Sequence, residues 1–139
     1  MSKKEKLLKL FNKEAPIAKF FGMILSFNKK NQAVIDLPYN SSLDHALKGV
    51  HGGIYCTLLD NAGWFTAAIA VEESYWLTTS QLTIHFLEPV KEKDLQAIGK
   101  VIKQGRRQII TEMNLYDSHK KLVAFSTGTF IILSNVNIE

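Results

Sequence analysis

Between Gly49 and Val71 the chain carries one formally charged side chain, Asp60, where average composition predicts about five. Ile54, Leu58, Leu59, Ala62, Phe65 and Ile69 recur in this stretch at steps of three and four residues, the period of an α-helix of about five turns. Apolar and small residues occupy nearly its whole circumference, so the helix must be covered on most sides. A membrane span is a poor alternative, because Thr57, Asp60, Asn61 and the glycines at 52, 53 and 63 interrupt it. What the chain folds into is therefore whatever can bury this one helix.

The flanking sequence supplies the cover. Residues 23–28 and 32–38 are apolar runs separated by Lys29, Lys30 and Asn31, a hairpin pattern closed by Pro38. After the helix, residues 77–87 alternate, with Leu82, Ile84 and Phe86 on one face and Gln81, Thr83 and His85 on the other. Further strands are expected at 94–103, 107–116 and 121–133, turning near Gln104-Gly105 and at Asp117-Ser118-His119-Lys120. Before all of these, residues 3–13 form an amphipathic helix with Leu7, Leu10 and Phe11 on one face, and Pro16, Ile17, Phe20 and Phe21 add a second apolar turn. The expected fold is α+β, a long central helix wrapped by a curved antiparallel β-sheet. With 139 residues and no linker or repeat, the chain is read as one domain over 1–139, of which 1–20 is the N-terminal helical segment.

Composition excludes several classes. At 46% hydrophobic and 22% charged the chain is globular rather than disordered. The surplus of four positive charges comes largely from Lys3, Lys4, Lys6, Lys9 and Lys13, so no nucleic-acid surface is expected on the fold itself. Cys56 is the lone cysteine, which excludes an internal disulfide framework, and no Cys/His spacing suggests a metal site. A cytoplasmic protein without an integral membrane segment is expected.

Two features carry chemistry. An ionised carboxylate in an apolar helix loses hydration unless it is paired or hydrogen-bonded, so Asp60 serves either a structural partner or a reaction. At the helix start, His51-Gly52-Gly53 presents backbone N–H groups that lack intrahelical acceptors, and glycine lets a ligand approach them. Such amides, with the helix dipole behind them, suit a developing oxyanion. Asp60 lies eight residues beyond Gly52, about 12 Å along the helix, so one chain cannot easily bring both to the same atom. Two copies with antiparallel helices across a twofold axis can.

The spacing of His51 and Gly53, of Leu59-Asp60-x-Ala62, and of Thr79-x-x-Leu82-x-Ile84-x-Phe86-x-x-Pro89 resembles the hotdog-fold acyl-CoA thioesterases of the PaaI-like type. Gly105-Arg106-Arg107 and Ala124-x-x-Thr127-Gly128-Thr129-Phe130 extend the resemblance over residues 20–133. It implies a homodimer or homotetramer hydrolysing acyl-CoA at a subunit interface, with coenzyme A as part of the substrate and no other cofactor. Gly52 would present its amide to the thioester oxygen, and Asp60 of the neighbouring subunit would activate water or attack the carbonyl. A Ser or Thr in the following strand commonly assists; counting back from Pro89 gives Thr79, with Thr78 as the alternative.

One position departs from that pattern: six residues before the motif histidine, where family members often carry Asn, this chain has His45. A neutral imidazole can replace an amide donor or act as a base. His51 and Gly53 are expected to shape the substrate loop, and Arg106 and Arg107 to bind a nucleotide phosphate of coenzyme A. The competing functions are a non-catalytic acyl-CoA-binding module, which His45 favours, and an enoyl-CoA hydratase, whose acid/base arrangement is not matched.

Overall fold

The computed structural model describes all 139 residues. Helix α1 (Lys3–Lys9) opens with a reciprocal cap in which Ser2 Oγ accepts from the Glu5 N–H at 3.1 Å and Glu5 Oε2 accepts from the Ser2 N–H at 2.8 Å. The helix expected over 3–13 then widens into a π-helical turn, Leu10–Glu14, before α2 (Pro16–Phe21) ends on Gly22 at φ +81°. In the wide turn Phe11 is buried, while Asn12 reaches strand β1 (Ile24–Phe27). There its side chain donates to Leu25 O at 3.0 Å and accepts from the Leu25 N–H at 2.8 Å. Strand β1 is a sheet edge, and Asn12 satisfies both backbone groups that Leu25 would otherwise leave open.

Strand β2 (Ala33–Leu37) completes the expected first hairpin, and a short 3₁₀ turn, Ser41–Leu43, lies in the loop that follows. The central helix α3 spans Gly52–Ala70, 19 residues, with eleven of them buried. After it come β3 (Tyr75–Phe86), β4 (Leu95–Gln104), β5 (Gln108–Asp117) and β6 (Leu122–Asn137). All six strands form one antiparallel sheet in the order β1-β2-β4-β5-β6-β3. The core is the contact between α3 and one face of this sheet. Close approach depends on Gly99 of β4, where a Cβ atom would stand 2.6 Å from Ala62 O and 2.4 Å from Thr66 Oγ1.

The far end of α3 is held by α1. Lys3 Nζ donates to the carbonyl of the C-cap residue, Val71, and, at 2.8 Å, to that of Glu73 in the bend beyond it. Burial pushes the Lys3 ammonium below its ordinary pKa, against a raising influence from Glu73. No helix is long and apolar enough to cross a membrane.

Strand β3 departs from simple alternation. Its pairing with β6 slips between Thr79 and Gln81, leaving Ser80 as an extra residue. Leu77, buried completely, and Thr79 face α3, and after the bulge Leu82 and Ile84 do so as well. A strict period of two counted back from Leu82 would turn Thr78 inward and Leu77 outward. The bulge reverses that assignment and brings Thr79 to the helix.

Candidate active site

Asp60 sits on the least covered stripe of α3, with Gly53, Cys56, Thr57 and Asn61, where the helix is half-buried or exposed. Its Oδ1 accepts a hydrogen bond from Thr79 Oγ1 at 2.8 Å, and none of the ion pairs of the chain involves it. Loss of hydration raises the Asp60 pKa from its ordinary value, and the Thr79 hydrogen bond partly offsets this. The result is a desolvated carboxylate with one hydroxyl partner and no cation, a basic oxygen suited to taking a proton from water. Thr78, by contrast, is exposed and makes no contact with Asp60.

The carboxylate borders a cavity of about 410 Å³. Trp64, Phe65 and Asn61 of α3 and Trp76 of β3 form one side; Leu10, Phe11 and residues 14–17 form the other. Trp64 is anchored by its Nε1–H, which donates to Leu77 O at 2.8 Å, and its ring meets Trp76 at 4.8 Å between centroids. Phe11 packs edge-on against Phe65 at 5.2 Å. Of the four aromatic residues whose place in an acyl pocket can be suspected from sequence alone, Trp64, Phe65 and Trp76 line this cavity and Tyr55 does not. The wall from residues 10–17 cannot be suspected in that way, because it depends on the wide turn.

At the other end of α3, His51 is the N-cap, and its Nδ1 accepts from the Gly53 N–H at 2.8 Å. The Gly53 amide thus has an internal partner. The Gly52 N–H, at the first helical position, has no acceptor within the helix. Gly52 lines a second cavity, of about 300 Å³, with His45, Val50, Tyr55, Phe86 and Pro89 among its walls. The His45 backbone N–H donates to Gly49 O at 2.8 Å, and its ring Nδ1 accepts from the Leu47 N–H at 3.1 Å. A neutral ring so held carries its proton on Nε2. That nitrogen lies against Gly49, where a Cβ would stand 2.8 Å away. Tyr55 donates to Glu88 O at 2.9 Å and is a wall rather than an acid, since burial pushes its phenol up in pKa.

One chain therefore places Asp60, held by Thr79, at one cavity and Gly52 with His45 at another, two helical turns apart. Arg106 and Arg107 are exposed on the β4–β5 hairpin and line neither cavity. Cys56 is half-buried on the Asp60 stripe, and burial, together with the Asp60 charge, raises its thiol pKa, which leaves it a poor nucleophile. No three His, Cys, Asp or Glu side chains are grouped so as to hold a metal ion.

Comparison with known proteins places these features in a family. Over 124 residues the chain is 32% identical to a Saccharolobus solfataricus protein named as an inferred esterase, covering 89% of this chain and 88% of that protein. The fold is that of Bacillus halodurans BH2602, crystallised with CoA: 26% identity, TM-score 0.81, with 93% of this chain and 89% of that one covered. It is likewise the fold of the E. coli PaaI protein of the phenylacetic acid degradation operon: 20% identity, TM-score 0.85, with 99% and 100% covered. The model of the thioesterase superfamily matches residues 47–124, the segment that runs from the Gly52 loop through Asp60 and Thr79 into β6. The chain belongs to the thioesterase superfamily, on the hotdog fold, and is a hydrolase.

Proposed function

We propose that this thioesterase cleaves acyl-coenzyme A, and that each reaction centre is built from two copies of the chain. The single observation that carries this is the state of Asp60: a desolvated carboxylate with no cation beside it, on the uncovered stripe of α3 and bordering a cavity. The CoA bound to the Bacillus halodurans relative supports the substrate class. The unpaired outer edge of β3, beside that stripe, is where a second copy can extend the sheet into a homodimer, and dimers can pair further into a homotetramer.

Across such an interface the Asp60 of one copy faces the Gly52 amide of the other. Asp60 takes a proton from water, the oxygen adds to the thioester carbon, and the negative charge moves to the carbonyl oxygen against the Gly52 N–H. Collapse of that adduct breaks the C–S bond, and the sulfur leaves with the proton that Asp60 had taken. The same carboxylate can instead attack the carbonyl itself, breaking the C–S bond; the coenzyme leaves as thiolate and takes a proton from solvent, and water opens the resulting anhydride to the free acid and the Asp60 carboxylate. Thr79 holds the carboxylate in place. His45, a wall of the Gly52 cavity, is left for the role of water or substrate placement. Arg106 and Arg107 are left for phosphate groups of the coenzyme. The test is release of free thiol from a panel of acyl-CoA substrates: turnover by the wild type and its loss in Asp60→Asn are expected. Unchanged turnover in the variant would refute the assignment.

A further inference from the structure

This inference rests on the acyl-CoA reading and concerns which acyl groups the enzyme accepts. A thioester held at Asp60 sends out two arms: the acyl group, and a coenzyme carrying several phosphate charges. The cavity bordering Asp60 is walled mainly by apolar side chains, and its charged members are both acidic, Asp60 and Glu14. No Lys or Arg lines it. A phosphate-bearing arm placed there would lose hydration with no cation to meet it. The arm that fits is the uncharged one.

We propose that this cavity is the acyl pocket and that the N-terminal turn, residues 10–17, sets its reach and excludes acyl groups ending in a carboxylate. The turn is not a loose flap. Phe11 is buried against Phe65, and the Asn12 side chain binds both backbone groups of Leu25. The other wall is equally held, by the Trp64 hydrogen bond to β3. Between these walls Ala15 is small and half-buried, and Ile17 lies at the rim, 45% exposed. Ile17 stands clear of the core, and Ala15 packs against its edge. Glu14, its side chain 47% exposed, stands at the same rim, ion-paired with Lys9 at 3.3 Å.

The experiment compares kcat/KM of the full-length enzyme over saturated acyl-CoA substrates from acetyl to hexadecanoyl, and hexanoyl- against adipoyl-CoA. Wild type should favour hexanoyl over adipoyl by about tenfold or more, the desolvation cost of the terminal carboxylate. Ala15→Phe, which fills the pocket, should lower octanoyl and longer substrates by about fivefold and leave acetyl-CoA nearly unchanged; Ile17→Ala should shift the profile towards longer chains. A general loss of structure would lower every substrate alike. Profiles parallel to wild type in both variants, or adipoyl turnover equal to hexanoyl, would overturn the pocket assignment alone. Turnover of none of these thioesters by wild type would overturn the acyl-CoA reading and the pocket with it.

Discussion

Thr79 donates to Asp60 Oδ1 across 2.8 Å, and it is the one side-chain hydrogen-bond donor to that carboxylate. The bond favours the ionised form while burial opposes it. Thr79→Val keeps the shape and removes the donor, so the Asp60 pKa must rise further. If the ionised carboxylate is the base, the acid limb of kcat/KM should move to higher pH in the variant. Activity at neutral pH should fall on the order of tenfold. A pH–rate profile checks this, and an acid limb that stays in place would remove Thr79 from the mechanism.

Asp60→Asn should stabilise the protein while abolishing turnover. Burial raises the folded-state pKa of Asp60 above its unfolded value. The folded chain then binds the proton more tightly than the unfolded one, and stability falls as pH rises from the ordinary carboxylate value through the raised one. Above that window the ionised group is a net cost, reduced because it is partly exposed. A gain of about 0.5–1 kcal/mol at neutral pH is expected, visible as a higher melting temperature. At a pH below the window the difference should vanish.

Gly52→Pro tests the amide. Proline is tolerated at the first helical position, and His51 before it is already extended at φ −62° and ψ 137°. The substitution removes the N–H and little else, since a Cβ at this position would stand 3.5 Å from the Phe86 ring, an ordinary contact. Turnover should fall on the order of a hundredfold, with melting nearly unchanged. Refolding Gly52→Pro and Asp60→Asn chains together in equal amounts should restore about a quarter of wild-type activity if each centre draws on two copies. No recovery would refute the composite site.

Gly99→Ala should cost at least about 2 kcal/mol in denaturant unfolding. The added methyl would press on the Ala62 carbonyl, and that is backbone, which cannot rotate away. A change below half of that would mean that α3 is free to lift off the sheet.

How far the sequence could be read differed between elements for physical reasons. The helix around Asp60 was legible because burial on most sides leaves a charge-poor stretch with a clear period, and the structure bounds it at Gly52–Ala70. Its cap was legible only as a glycine-rich start; that His51 would take up the Gly53 amide depends on a rotamer that composition does not report. The strand ends shifted by one to four residues, most at the end of β6, where Tyr75 pairs with Asn137. The N-terminal wall of the cavity was illegible. A π turn has the same composition as an α turn, and its signal here is a pair of hydrogen bonds from Asn12 to a residue 13 positions away.

The extra residue at Ser80 has an evolutionary corollary. It divides β3 into two half-strands whose inward-facing positions are counted independently, odd numbers before it and even numbers after it. Deleting Ser80 would restore strict alternation, with Leu77, Thr79, Leu82 and Ile84 all still facing the helix. The bulge is thus the place where this strand can lose a residue without turning its inward side chains to solvent, while the loops on either side are free to change in length.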